Sequence, residues 1–213
     1  MAAEAPEALI FDVGNVLLRW EPAALVGQVL PEVDAQRVAQ RVFASTAWHE
    51  LDAGRLQLAA VVAELTASTG LSEHALQDLF AALPASLTPI APMHRLAHAL
   101  ADQRIPIYVL SNMPAYAQAY IVEHHSIFAR MAGCVFSNEV QAAKPEPEIF
   151  ETLLERFSLV PSRCLFIDDS LVNLDTAGQF ELMTAQLVAG ASDVETERLA
   201  RSVAGRFGLI DVP

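Results

Sequence analysis

The run Ala8-Leu9-Ile10-Phe11 is short, wholly apolar, and stops at Asp12, with Gly14-Asn15 just beyond. A run of that length closed by turn residues has the make-up of a strand buried on both faces, and such strands belong to parallel sheets. Parallel strands need long crossovers, usually helices, so this stretch already points to an α/β architecture. It also sets Asp12 at the carboxyl end of a strand, where open α/β sheets hold their ligands. On this stretch alone Asp12 reads equally well as a cap for the following turn.

The second half of the chain repeats the pattern. From Thr88 onward the spacing predicts strands over 105–110, 133–136, 164–167 and 184–188, although Pro106 weakens the start of the first. Helices are expected between them over 91–102, 114–125, 148–157 and 171–180. A last helix to about Ala204 is opened by a capping box of Ser192 and Glu195. This alternation predicts a Rossmann-like parallel sheet with helices on both faces.

Between Pro22 and Leu87 the apolar period is helical throughout, and nothing reads as a strand. Helices are expected over 22–30, 32–45, about 56–69 and 71–83, with Gly70 closing the third and Ser72 capping the fourth. An all-helical block is therefore inserted early in the α/β chain.

Bulk numbers narrow the function classes. Of 213 residues, 53% are hydrophobic, which is ample for a core. The net charge of −13 repels nucleic-acid phosphates and anionic membranes, so neither is expected as a partner. Met1–Glu7 lacks the cationic start of a signal peptide, and no run is long enough to span a membrane, so a cytoplasmic protein is expected. The two cysteines, Cys134 and Cys164, fit no zinc spacing and read as buried free thiols in strands.

Four strand ends carry polar residues: Asp12, then Ser111-Asn112, then Lys144 just past a strand, then Asp168-Asp169. In a parallel sheet these ends share one edge. Three carboxylates there repel each other unless positive charge lies among them. Lys144 supplies one charge, and a hard divalent cation such as Mg²⁺ suits the remaining oxygen ligands together with a substrate phosphate. A nucleophile, a metal site, a cation and a hydroxyl/amide anion contact are the parts for phosphoryl transfer through an aspartyl-phosphate.

On those residues the chain resembles the haloacid dehalogenase (HAD) superfamily of hydrolases. The matching motifs are Phe11-Asp12-Val13-Gly14-Asn15-Val16, Val109-Leu110-Ser111-Asn112, Lys144-Pro145-Glu146-Pro147-Glu148-Ile149-Phe150, and Phe166-Ile167-Asp168-Asp169-Ser170 followed by Asn173 and Ala177. Their order and spacing cover nearly the whole chain. The Gly-Asn-Val form of the first motif is similar to that of small sugar-phosphate phosphatases of subfamily I. The resemblance implies a core domain of residues 1–18 and 88–213 and a helical cap domain of residues 19–87 that closes over the site.

It implies roles as well. Asp12 would attack phosphorus and bind Mg²⁺, with the Gly14 carbonyl, Asp169 and Asp168 completing the metal site. Lys144 would offset charge between nucleophile and phosphoryl group. Ser111 and the Asn112 amide would hold phosphate oxygens. The expected activity is Mg²⁺-dependent hydrolysis of a small phosphorylated metabolite, such as a sugar phosphate, by a monomer or homodimer.

One position departs from the family pattern. Most phosphatases of this kind carry a second Asp two residues after the nucleophile as general acid and base, and here that residue is Gly14. Acid–base help is typically worth about 10²–10⁴-fold in rate. Glu21 and His49 are the two sequence candidates for a substitute. The gap leaves two rivals standing: a metal-free 2-haloacid dehalogenase using the same Asp nucleophile, with Arg19 the nearest halide-binding candidate, and a non-catalytic binding or regulatory module.

Other polar and aromatic residues read as structural. Asn173 is expected to buttress the acidic loop, and Trp48 to lie in the core of the helical block. Trp20, where the chain leaves the sheet for that block, is open between a place in that core and a place in a substrate pocket. His124-His125 reads as a solvated helix end, and His74, His94 and His98 as ordinary helical positions.

Overall fold

The computed structural model describes residues 5–209. The first part of the Met1–Glu7 segment lies outside the described residues. The sheet comprises β1 (Ala8–Phe11), β4 (Ile107–Ser111), β5 (Gly133–Phe136), β6 (Cys164–Asp168) and β7 (Met183–Gln186). All neighbours are parallel, in the order β5-β4-β1-β6-β7. The Rossmann-like α/β architecture expected from the alternation is the one observed. β1 is central, and the chain builds outward on one side through β4 and β5 before crossing to β6 and β7. That reversal puts a crevice at the carboxyl ends of β1, β4 and β6.

Alternate residues of the central strands feed two apolar layers. Leu9, Phe11, Ile107, Val109, Leu165 and Ile167 face one side. They pack with residues of α6 (Ala91–Asp102), α7 (Ala115–His124) and α11 (Asp193–Arg206). Ile10, Tyr108, Leu110 and Phe166 face the other, against α9 (Pro147–Arg156) and α10 (Leu171–Gln179). Burial on both faces explains why these strands are continuously apolar.

The first strand after the helical block starts at Ile107 rather than residue 105. Pro106 has no N–H to give the ladder, and only its carbonyl takes part, accepting from Leu9 N at 3.1 Å. The last strand is Met183–Gln186 rather than 184–188. The capping box of Ser192 and Glu195 is present at the start of α11.

The block between β1 and β4 holds α1 (Pro22–Val29), α2 (Ala35–Phe43), α3 (Thr46–Asp52), α4 (Leu58–Thr69) and α5 (Glu73–Ser86). Gly70 closes α4 in the left-handed conformation and Ser72 caps α5, as the sequence indicates. The stretch 32–45 is shorter than its spacing predicts, because Asp34 caps α2 and Ser45 caps a separate helix, α3. Seven residues are too few to display a helical period, so α3 is invisible to pattern reading. The chain enters and leaves the block through a two-residue antiparallel ribbon, β2 (Leu18–Arg19) with β3 (Thr88–Pro89). Its apolar residues and one face of the sheet form a single contiguous cluster.

Aromatic rings fill the centre of the block. Trp48 stacks on Phe80 at 5.8 Å and meets Phe43 edge-on at 4.9 Å, and Trp20 also meets Phe43 edge-on at 4.9 Å. Trp48 is buried, as expected.

A short helix on the sheet side, α8 (Ser137–Val140), follows β5 directly and meets the end of α3. Gly54 sits there with φ +70°, and a Cβ on it would lie 2.5 Å from the Asn138 carbonyl oxygen. Gly54→Ala is therefore expected to destabilise by about 2–4 kcal/mol, through left-handed strain plus backbone overlap. For a chain of this size that is a fall of roughly 4–16 °C in Tm, read by thermal unfolding. An unchanged Tm would show that the α3–α8 contact yields freely.

Both cysteines are free, and burial pushes their thiols up, Cys134 to about 12 and Cys164 to about 11, so neither is a ready nucleophile. His124 is exposed at the end of α7, but His125 is not solvated as expected: it is half-buried and bonds the Leu87 carbonyl. His94 is also half-buried, its Nε2 3.1 Å from the Leu17 carbonyl. Burial holds both rings below the usual histidine range. Among the described residues, no helix is long and apolar enough to cross a membrane.

Candidate active site

The carboxyl ends of β1, β4 and β6 bring the sequence candidates together. Asp12 follows β1, Ser111 ends β4, Asp168 ends β6, and Lys144 reaches in from the loop after α8. All four are at least nine-tenths buried. Buried charges are stable only when paired, and these are. Lys144 Nζ lies 2.8 Å from Asp12 Oδ1 and 2.6 Å from Asp168 Oδ2, with the Phe166 ring 5.3 Å away.

The surrounding side chains fix this arrangement. Asn112 clamps the Lys144 backbone from both sides: its Nδ2 donates to the Lys144 carbonyl and its Oδ1 accepts from Lys144 N, each at 2.8 Å. Asp168 accepts from Asn173 Nδ2 on both oxygens, at 3.0 and 3.1 Å, and from Ser170 N at 2.8 Å. Asn173 thus buttresses the acidic loop as expected. Asp169 accepts from Asn15 Nδ2 at 2.9 Å, while Asn15 Oδ1 accepts from Trp20 N at 3.1 Å. Asn15 holds φ +55°, a conformation Asn tolerates better than most residues. In the sequence Asn15 shows only as turn chemistry, with no trace of this clamp.

The charges do not balance. Burial pushes Asp12 up to about 7 against the pull of Lys144, and Asp168 adds to the rise. Asp169 is also raised, by burial first, although the Asn15 bond works the other way. Burial works to lower Lys144, but the two carboxylates outweigh it and keep the ammonium charged. Three carboxylates therefore share one cation. Oxygens of Asp12, Asp168 and Asp169 lie within 4.8 Å of one another, a donor set suited to a hard divalent ion. Asp12 and Asp169 face the cavity, whereas Asp168 is fully buried with both oxygens engaged.

Over this cluster opens a cavity of about 180 Å³. That is small beside the about 300–1,000 Å³ of sites for drug-sized ligands. Its floor is Asp12, Gly14, Ser111, Asn112, Lys144 and Asp169. Its walls include Trp20, Trp48, Leu83, Leu87 and Met113, so Trp20 serves both the core and the cavity. At Gly14 a Cβ would touch only the Trp20 Cβ, at 3.9 Å, an ordinary contact.

Neither sequence candidate for the missing acid reaches the cavity. Glu21 and His49 are both exposed, and neither lines it. Besides Asp12 and Asp169, the carboxyl that does is Asp52, on α3, one helical turn from Trp48 and on the same face. The sequence reading missed it because α3 itself was invisible. Its one signal was the four-residue spacing from a tryptophan already assigned to the core. Arg19 also lies outside the cavity, paired with Asp193 at 2.7 Å.

A family model described as haloacid dehalogenase-like hydrolase matches residues 6–180. The chain belongs to that family. It is a HAD-like hydrolase on more than the four motifs, since the match runs through the helical block. Among curated proteins it is similar to the sesquiterpene phosphatase astK of Aspergillus oryzae, 25% identical over 171 residues, covering 80% of this chain and 84% of that one. Among solved structures it is similar to the HAD family enzyme bt-2542 of Bacteroides thetaiotaomicron in complex with magnesium and inorganic phosphate. That pair has TM-score 0.70 and 22% identity, over 87% of this chain and 96% of the other. The L-2-haloacid dehalogenase of Xanthobacter autotrophicus, with chloropropionic acid covalently bound, shares the fold at TM-score 0.68 and 18% identity, over 94% and 83%.

Proposed function

We propose that this hydrolase is a Mg²⁺-dependent phosphatase that cleaves a small phosphorylated metabolite through an aspartyl-phosphate on Asp12. The observation that carries the reading is the buried Asp12 carboxylate, held by Lys144 at 2.8 Å on the floor of a cavity it shares with Asp169 and Ser111. Asp12 attacks phosphorus. The Ser111 hydroxyl and the Asn112 backbone N–H receive phosphoryl oxygens. Lys144 offsets the charge of nucleophile and phosphoryl group. Asp12, Asp169 and the Gly14 carbonyl hold the metal, and Asp168 belongs to the same cluster while anchoring Lys144. A bound magnesium ion supplies the positive charge that lets a carboxylate approach a phosphate dianion.

The helical block, residues 19–87, acts in this reading as a cap over a core of residues 1–18 and 88–213. Support comes from relatives: one is named as a phosphatase, and another was solved with magnesium and inorganic phosphate. The walls add a point about the leaving group. Tryptophan, leucine and methionine side chains there favour an apolar alcohol over a sugar.

The test is a panel of an aryl phosphate, sugar phosphates and phosphomonoesters of apolar alcohols, assayed with Mg²⁺ and with EDTA. Hydrolysis that requires Mg²⁺ and is fastest on the apolar esters is expected. Turnover surviving EDTA overturns the phosphatase reading, and chloride release from 2-chloropropionate without metal would replace it with dehalogenation. The ion pair of Arg19 with Asp193, outside the cavity, speaks against that alternative.

A further inference from the structure

We propose that Asp52, reaching the cavity from α3, is the proton donor for the leaving group and stands in for the acid that Gly14 lacks. The assignment rests on the phosphatase reading above and goes beyond it by naming the group that handles the proton.

Three observations carry it. First, Asp52 is the carboxyl lining the cavity that the nucleophile, metal and phosphate roles leave unused among the described residues. Second, its Oδ1 is shielded from solvent and has no hydrogen-bond partner among the described residues. A buried polar atom without a partner is costly, so this carboxyl is held beside the cavity with one oxygen unsatisfied. Third, the core of the protein pins this residue. Ser137 Oγ donates to the Asp52 carbonyl while accepting from Met113 N at 2.9 Å, so α3, α8 and the loop after β4 fix one another. Gly54, two residues on, packs against Asn138 with no room for a side chain. The Asp52 backbone is thereby tied through Ser137 to Met113, next to Asn112 in the loop after β4.

Electrostatics agree with the placement. Burial pushes the Asp52 carboxyl well above its ordinary range, and the Asp12 charge adds to this, while a hydrogen bond from the Trp48 side chain opposes them. Asp52 therefore keeps its proton to higher pH than an ordinary carboxyl, as a donor must. Tyr116 on α7 feels the same carboxyl, and its hydroxyl is likewise buried without a partner.

The step balances as follows. Asp12 forms a bond to phosphorus as the P–O bond to the leaving alcohol breaks, and the departing oxygen takes the Asp52 proton. In the second half the Asp52 carboxylate removes a proton from the attacking water. The water oxygen bonds to phosphorus as the phosphorus–Asp12 bond breaks, releasing phosphate and restoring the Asp12 carboxylate and the Asp52 acid.

The test exploits leaving-group chemistry in the full chain with Mg²⁺. An alkyl alkoxide needs a proton to depart, whereas p-nitrophenolate does not. Asp52→Asn is expected to lower kcat/KM for an alkyl phosphate by about 10²–10⁴-fold while that for p-nitrophenyl phosphate falls less than about tenfold. The ratio of the two is independent of the folded fraction, so partial misfolding does not blur it. Asp52→Ala should collapse the ratio in the same way. A ratio unchanged in both variants overturns the assignment and leaves the phosphatase reading standing. A wild-type protein inactive on both esters overturns that reading and the assignment with it.

Discussion

Asp12→Asn is expected to abolish phosphomonoester hydrolysis, with kcat falling about 10⁴-fold or more and the fold intact. The amide has the shape of the carboxyl but no nucleophilic oxygen. In enzymes that form a covalent intermediate, loss of the nucleophile costs on the order of 10⁶-fold. The structure gives a reason to expect folding to survive. Burial works against the Asp12 charge, and the variant removes that charge. Lys144 keeps its 2.6 Å bond to Asp168, so no ammonium is stranded. Steady-state turnover on the most active ester and a thermal melt read the two halves. Turnover within tenfold of the wild type would show that Asp12 is not the nucleophile.

Lys144→Met should lose activity and stability together. Methionine matches the length of the stem but leaves Asp12 and Asp168 facing each other, buried and unpaired. Breaking a buried ion pair by removing one partner typically costs about 3–5 kcal/mol, which here means roughly 6–20 °C in Tm. The loss should depend on pH. Asp12 is already raised by burial, and without the ammonium the pull that lowers it is gone. A carboxyl raised in the folded state contributes stability that is present below its unfolded value and lost as pH rises through the folded one. The Tm deficit of Lys144→Met should thus be small near pH 4 and grow toward pH 8, measured without added metal. An equal deficit at both would mean that Lys144 acts through packing on Phe166 rather than through charge.

The contrast between these residues and Asp52 shows what a sequence displays. Asp12, Ser111 and Asp168 are legible because each ends an apolar run of strand length, and a parallel sheet aligns such ends whatever else the chain does. Lys144 was legible through its place after a strand and its Lys-Pro-Glu-Pro context. The five-strand sheet followed from the same runs, with errors confined to boundaries, where Pro106 and the strand ends decided by ladder bonds rather than composition. Asp52 and Asn15 belong to another class. Their roles depend on where a seven-residue helix docks and on one left-handed residue, and neither leaves a periodic trace. Glu21 and His49 have side chains able to carry a proton, but both are exposed to solvent.

The central position of β1 has a consequence for how the protein is made. Leu9 pairs with Ile107 on one side and Leu165 on the other, so the strand that delivers Asp12 finds both neighbours only after long stretches of chain have been synthesised. Contacts so remote in sequence make folding slow and leave an apolar strand unpaired while translation proceeds. The helical block, by contrast, closes mostly local contacts and can collapse while the ribosome is still working on the rest. Nascent chains released before β6 should therefore hold an ordered block and an exposed, aggregation-prone β1, and the nucleophile gains its surroundings only at the last long-range pairing.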